Sequence, residues 1–158
     1  MEFLVVIPLP STNSDSLPVD VDVLNDPTSL TYPAKKAELI QNGKVSIWMY
    51  FRDTKVPTNL PVINENGVFL TKGTAIVEGK GIPNSEYVFN QLRNEKTRIQ
   101  GDYLLFGLEN NGNGELFTTT MTFCPLFVHQ CDTHTVFSTD IGLLNKCLIS
   151  RKQTDIVE

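Results

Sequence analysis

The sequence predicts a mainly β fold, a β-sandwich or a barrel-like sheet that is largely antiparallel, with one or two short α-helices. Short segments of alternating apolar and polar residues, separated by Asn-Gly or glycine-rich turns at spacings of about 8–12 residues, are typical of such folds. The strongest segment is 44–51, in which Val45, Ile47, Met49 and Phe51 fall on one side of a two-residue period. Because successive side chains of a strand point to opposite faces, this segment can bury a complete apolar row.

The chain length predicts a single domain. With 158 residues, 41% hydrophobic and 20% charged, the composition is that of an ordinary globular protein. We find neither an internal repeat nor a linker between two cores. We therefore expect one β-rich globular domain over residues 1–150 and a flexible C-terminal tail over residues 151–158.

Charge and apolar patterning exclude several classes of protein. The net charge of −5 opposes a nucleic-acid partner, because affinity for phosphates comes from clustered Lys and Arg. No apolar run approaches the roughly 20 residues of a transmembrane helix. The apolar segment 3–7 lacks a preceding basic residue and is followed by Pro8 and Pro10, so we interpret it as a strand rather than a signal peptide. An odd number of cysteines, three, argues against a disulfide framework and favours an intracellular, cytoplasmic protein.

The N-terminal third contains two predicted strands before the 44–51 segment. The first covers residues 2–9. The second covers 17–24, where Val19, Val21 and Val23 alternate with aspartates and indicate a half-buried strand. Residues 25–28 are then expected to form a turn.

Residues 34–41 fit two structures. Pro33 at a first helical position favours a short helix, whereas Asn42-Gly43 favours a hairpin in which this segment pairs with the following strand. We favour the hairpin, because its partner strand is so well defined.

The rest of the chain continues the pattern of strands and turns. In the middle of the chain we expect a hairpin around 65–67, a strand over 74–78, and a helix that begins within 82–86 and ends near Asn94. A second hairpin follows, with a strand over 97–109 bent at Gly101 or Gly107, a loop over 110–114 and a returning strand over 115–124. The last elements are an edge over 125–128, a strand over 133–137, and a helix over 138–149 capped by Ser138 or Thr139.

The densest chemical cluster is Cys124, His129, Cys131 and His134. Thiolates and imidazoles are zinc ligands, but familiar zinc motifs separate a close Cys pair from a close His pair, and this spacing does not. The preferred interpretation is one buried thiol with exposed imidazoles on an edge or loop. No metal or cofactor is therefore assigned.

An enzyme based on the same cluster would pair Cys131 with His134, oriented by Asp132. Nucleophilic triads converge in space rather than in adjacent sequence positions, so this arrangement is disfavoured. The chain also lacks the phosphate-binding loop and the Gly-x-Ser-x-Gly elbow. We predict that the protein is not an enzyme.

The candidate interface consists of Trp48, Tyr50, Leu126, Phe127 and Val128. Trp48 and Tyr50 lie opposite the predicted core row of their strand, either beneath the 86–93 helix as a second internal layer, which we favour, or against another protein, where aromatic residues are enriched. Three consecutive apolar residues at 126–128 leave one face of an edge strand exposed unless it is covered.

These features favour a non-enzymatic structural or protein-interaction module that associates with itself as a homo-oligomer through strand edges and apolar faces. A viral structural or matrix-like protein, located in the host cytoplasm or virion, belongs to this class. The first alternative is a β-barrel that binds a small apolar ligand. The second is the Cys/His-dependent enzyme.

Overall fold

The computed structural model describes residues 1–10, 16–53, 55–94, 97–119 and 122–148. By its contacts the chain divides into a central unit, formed by residues 54–125 with Met1, and a terminal unit, formed by residues 2–53 and the chain from Leu126 onward. Each contains one antiparallel sheet, so the mainly β, largely antiparallel fold is confirmed. The described residues form three short α-helices rather than one or two. None of these helices is long and apolar enough to cross a membrane.

The elements are, in chain order, β1 (Glu2–Pro8), α1 (Val21–Asn25), a 3₁₀ turn (Pro27–Ser29), β2 (Lys36–Asn42), β3 (Val45–Phe51), β4 (Val62–Asn64), β5 (Gly67–Val77), α2 (Ser85–Asn94), β6 (Ile99–Glu109), β7 (Gly114–Thr118), β8 (Phe127–Gln130), β9 (His134–Ser138) and α3 (Ile141–Cys147). The predicted tail, 151–158, lies outside the described residues. The single domain over 1–150 stays a prediction.

The sheet of the terminal unit has the strand order β2-β3-β1-β9-β8. The predicted hairpin at 34–51 is confirmed, since β2 pairs with β3 along its whole length. Its loop is Gly43-Lys44, one residue later than the predicted Asn42-Gly43, and Gly43 takes the positive φ of 61° that the turn needs. β3 lies between two neighbours and is buried on both faces, so its alternation does not separate a core side from a solvent side.

The predicted strand over 17–24 is wrong, because the structure forms α1 there. The Asp20 carboxylate caps this helix by accepting hydrogen bonds from the main-chain N–H groups of Asp22, at 3.0 Å, and Val23, at 3.4 Å. The Asp20 side chain thus caps a helix and does not lie on the solvated face of a strand. Leu24 is the buried residue of the helix.

The core of the terminal unit joins β1, β3 and β9 to α1 and α3. Trp48 donates from Nε1 to Asn25 Oδ1 at 3.1 Å, and the Tyr50 hydroxyl donates to the main-chain oxygen of Leu24 at 2.6 Å. Both polar tips of these buried rings are therefore satisfied. The buried members of the cluster are Leu4, Val6, Val19, Leu24, Leu30, Ala34, Trp48, Tyr50, Val136, Leu143, Leu144 and Cys147.

Tyr50→Phe is expected to lower the free energy of unfolding by about 1–2 kcal/mol, because it leaves the buried Leu24 carbonyl without its donor. Urea denaturation followed by the fluorescence of Trp48, the only tryptophan, measures the effect. Tyr32→Phe is the matched control; its side chain is 71% exposed, and a change within about 0.5 kcal/mol is expected. Equal effects of the two substitutions would contradict the role assigned to the Tyr50 hydroxyl.

The C-terminal elements follow the prediction except in their cap. The strand predicted over 133–137 is confirmed as β9. α3 is capped by Asp140 rather than by Ser138 or Thr139, because the Asp140 carboxylate accepts from Leu143 N at 2.8 Å and also from Thr31 Oγ1 at 2.9 Å. The Asp140 carboxylate thus starts a helix and fixes a distant loop at once.

The sheet of the central unit has the order β4-β5-β6-β7. The hairpin around 65–67 is confirmed, but the separate strand over 74–78 is wrong, since β5 continues unbroken for 11 residues and pairs with β6 throughout. Gly73 permits this continuity. It has a φ of 83°, and a Cβ there would lie 2.2 Å from the main-chain oxygen of Asp102.

The predicted helix within residues 82–94 is confirmed as α2. Asn84 Oδ1 accepts from Tyr87 N at 2.9 Å and so caps the helix. Val88 and Phe89 face the sheet and are buried against β5 and β6. This face of α2 packs in the apolar core of the central unit.

The strand predicted over 115–124 is found as β7 only as far as Thr118, and the described residues beyond it, 119 and 122–124, are not in a strand; residues 120–121 lie outside the described residues. Beyond β7 the Asp102 carboxylate accepts hydrogen bonds from Thr119 Oγ1, Thr122 Oγ1 and Phe123 N at 3.2, 2.7 and 3.0 Å. The hydrogen bonds, that of Thr122 above all, lower the pKa of Asp102, with burial opposing them.

Candidate functional site: the edge strand β8

β8 forms one edge of the five-stranded sheet, and three of the five predicted interface residues lie in it or directly before it. Leu126 directly precedes it, and Phe127 and Val128 begin it. Phe127 packs partly buried against the core of the terminal unit, whereas Val128 points to the other face and is 61% exposed. The edge expected over 125–128 is thus found two residues later, over 127–130.

The β8–β9 ladder fixes which backbone groups of β8 face outward. Cys131 N donates to His134 O at 3.0 Å, so these residues form a hydrogen-bonded pair. Hydrogen-bonded and non-hydrogen-bonded pairs alternate along an antiparallel ladder. Since His129 pairs with Val136 and Val128 with Phe137, His129 bonds to β9, whereas the N–H and C=O of Val128 point away from it. Gln130 has the same orientation as Val128.

The other neighbour of β9 gives the same result independently. Leu9 N donates to Thr133 O at 2.8 Å, and Thr139 N donates to Phe3 O at 3.0 Å. The odd-numbered residues of β9 are therefore the ones that bond to β1, and the even-numbered ones bond to β8. Each copy of the chain thus presents two N–H and two C=O groups, from Val128 and Gln130, along this edge.

The two edges of the sheet differ in charge. β8 has the sequence Phe-Val-His-Gln, without Asp, Glu, Lys or Arg. β2, at the opposite edge, carries Lys36 and Glu38, which form an ion pair, and Lys35 next to it pairs with Asp53. Charged side chains on an edge strand oppose the addition of another strand. By this criterion β2 is protected and β8 is open to pairing.

Trp48 and Tyr50 do not belong to this surface, which corrects their place in the candidate interface. They are 1% and 0% exposed and pack with α1 and α3, whereas the helix at 85–94 belongs to the central unit. The rings form an internal layer of the terminal unit. The physical reason is the position of β3 within the sheet, where helices cover the second face.

The Cys/His residues divide between the units. Cys124 belongs to the central unit, where its Sγ lies against Gly73. Cys131 and His134 close the β8–β9 hairpin: Cys131 Sγ contacts His134 O at 3.4 Å, and His134 Nδ1 lies 2.8 Å from Thr133 Oγ1. The described part of the chain contains no cluster of three or more Cys, His, Asp or Glu that could hold a metal ion.

The cysteines differ in their ionisation. Burial raises the pKa of Cys147 to about 12. At Cys131 burial also opposes ionisation, but hydrogen bonding by the side chain and main chain of Thr133 outweighs it and lowers the pKa. Cys131 is the only one of the three that is not buried.

Iodoacetamide near neutral pH is therefore expected to modify Cys131 first, with Cys124 and Cys147 at least about tenfold slower, because the accessible thiolate is the reactive species. Peptide mass spectrometry during a time course measures each site. Cys131→Ser should abolish the fast phase, and urea should expose all remaining thiols. A fast reaction at Cys147 in the folded protein would contradict the burial of its side chain.

Sequence reasoning missed Gln130, whose backbone is half of the exposed edge. The outward direction of its backbone groups depends on the pairing of Cys131 with His134, which no local pattern specifies.

Comparisons of the chain with protein-family models, with curated proteins and with solved structures found no match.

Proposed function

We propose that this chain is a non-enzymatic structural protein that associates with copies of itself through the edge strand β8. The observation that carries the proposal is an edge without charged residues, with an exposed Val128 and outward backbone groups at Val128 and Gln130. Such an edge is a template for another extended strand.

The contrast between the two edges favours a closed assembly. If both edges could pair, copies would add head to tail and build an open filament. Within the five-stranded sheet the charges on β2 oppose that route and favour the pairing of β8 with a second β8 around a two-fold axis. We therefore propose a symmetric homodimer as the basic unit.

The contact is expected to be weak. Backbone hydrogen bonds contribute about 1 kcal/mol each, and four of them correspond to a dissociation constant of roughly millimolar before costs and apolar burial are counted. A weak symmetric contact acts where copies are concentrated, as in an assembled layer inside a cell or virion. A viral structural or matrix-like role is the specific form of the proposal.

Sedimentation velocity and native mass spectrometry over about 10 µM to 1 mM test the proposal, a range set by the expected affinity. The wild-type chain should shift towards dimer with concentration. Val128→Pro should stay monomeric, because proline removes an outward N–H without removing a β8–β9 bond. Val128→Thr, which keeps the N–H and the branched shape, is the matched control and should still dimerise.

A strict monomer at the highest concentration would overturn the proposal. If that monomer also retained an apolar ligand in native mass spectrometry, the carrier alternative would replace it. Trp48 fluorescence of both Val128 variants should match that of the wild type, which verifies that the substitutions leave the terminal unit folded.

A further inference from the structure

The register between two β8 strands is restricted by which residues carry outward groups. Only even-numbered residues of β8, such as Val128 and Gln130, have backbone N–H and C=O groups that point outward. Hydrogen-bonded pairs across the new interface can therefore form only between even-numbered residues of the two copies. Around a two-fold axis this leaves three registers close to the strand centre. They place Val128, His129 or Gln130, respectively, opposite the same residue of the second copy.

Only one of these registers uses the whole strand. With Val128 opposite itself, the outer pairs require Leu126, which precedes β8. With Gln130 opposite itself, they require Asp132, which lies in the turn to β9. With His129 on the axis, Val128 pairs with the partner's Gln130 and Gln130 with the partner's Val128. All four outward groups of each copy then form hydrogen bonds within the strands.

We infer that β8 pairs with the partner's β8 in this third register, with His129 facing the partner's His129 across the two-fold axis. This inference rests on the proposed function and specifies its geometry. His129 bonds to β9 through its backbone, so the two histidines form a non-hydrogen-bonded pair in the new ladder. The Cα atoms of such pairs lie about 4.5 Å apart, which brings their side chains together.

A self-facing position responds to charge in a way that no other position does. Like charges directly opposite each other destabilise a strand pair, and opposite charges stabilise it. His129→Lys and His129→Glu should each weaken dimerisation by up to about fivefold. An equimolar mixture should form the heterodimer and recover the wild-type affinity. His129→Gln, uncharged and of similar reach, should dimerise like the wild type.

The same pair of substitutions at Val128 and at Gln130 discriminates the registers. In the inferred register each of these positions directly faces a neutral residue of the partner and meets its own copy only diagonally. Lys and Glu variants at either position should therefore prefer mixing much less than the variants at position 129. Native mass spectrometry of isotopically distinct variants counts homodimers and heterodimers directly. Urea denaturation followed by Trp48 fluorescence checks that each variant remains folded.

The outcomes separate the register from the function. Preferential mixing at position 129 supports the inference. A stronger preference for mixing at position 128 or 130 than at position 129 overturns it while the β8 dimer stands. A dimer that ignores charge at all three positions overturns both the register and β8 as the interface, and a wild-type chain that never dimerises overturns the proposed function itself.

Discussion

Phe89→Ala is expected to lower the free energy of unfolding of the central unit by about 3–5 kcal/mol, the usual cost of removing a buried phenylalanine ring. Phe89 is almost completely buried, with its ring centroid 5.1 Å from that of Phe69 and 5.7 Å from that of Phe117. The Arg93 guanidinium lies 4.8 Å from the ring centroid and covers it.

Gly107 provides the space that this ring occupies. A Cβ at position 107 would lie 2.3 Å from Phe89 Cε2, so Gly107→Ala should cost about 1–3 kcal/mol through overpacking. Gly114→Ala is the matched control, since a Cβ there meets its nearest neighbour at an ordinary 3.6 Å. The sequence singled out Gly101 and Gly107 as positions of a bend; at Gly107 the packing of Phe89 is a separate reason for glycine.

A double-mutant cycle links these two residues. Because the three heavy atoms nearest to the added methyl group all belong to the Phe89 ring, Gly107→Ala should cost far less in the Phe89→Ala background than alone. Urea denaturation followed by far-UV circular dichroism, with hydrogen exchange at β5 and β6, measures the four proteins. Additive effects, or equal costs at Gly107 and Gly114, would contradict this account of the packing.

Asn59→Leu is the second substitution with a large expected effect, a loss of about 3 kcal/mol or more in the free energy of unfolding. The Asn59 amide donates to Ala75 O at 2.9 Å and to Pro83 O at 2.8 Å, and its Oδ1 accepts from Ala75 N at 2.7 Å. Asn59 is buried, so leucine would leave three backbone groups without partners, at about 1–3 kcal/mol each.

Asn59→Asp sharpens this prediction through its pH dependence. Burial and the two nearby carbonyl oxygens would disfavour the carboxylate and raise its pKa in the folded state. The variant should therefore lose stability relative to wild type as the pH rises through the ordinary aspartate value of about 3.9 and above. Asn90→Leu, on the exposed face of α2, is the control and should change stability by less than about 0.5 kcal/mol. A comparable loss at Asn90 would contradict the special role of Asn59.

The elements predicted correctly are those whose sequence pattern fits only one type of secondary structure. Segment 45–51 is long enough to show its two-residue period, and α2 carries both a capping residue and an apolar face at helical spacing. Residues 19–24 have two solutions. The alternation of valine and aspartate suits a strand, but the same Asp20 is a good helix cap, and a five-residue helix is too short to display a period of 3.6.

The candidate site was predicted in part for a similar reason. The apolar residues 126–128 were expected to form an edge, and β8 is an edge strand of its sheet. Val128 is exposed because it points to the face opposite Phe127. Trp48 and Tyr50 were expected in an internal layer, with an exposed binding surface as the alternative, and they are buried. The sequence alone could not decide, since a strand with helices over its second face has the same pattern as a strand with a binding surface there. Which backbone groups face outward depends on register, and register is a property of pairs of strands.

The position of β1 between β3 and β9 has a consequence for synthesis. The terminal unit is completed only when the chain reaches β9, since Phe3 bonds to Thr139 and β1 pairs with residues 134–138. At about 5–20 residues per second, the ribosome needs roughly 4–16 s to add the residues between β3 and β9. During that interval the edge of β1 that later pairs with β9 is unpaired, and β1 carries the apolar Leu4 and Val6. The central unit can already form its own sheet in the same interval. We thus expect the nascent chain to fold from the middle outward, and its longest exposure to aggregation to fall at its N-terminal strand.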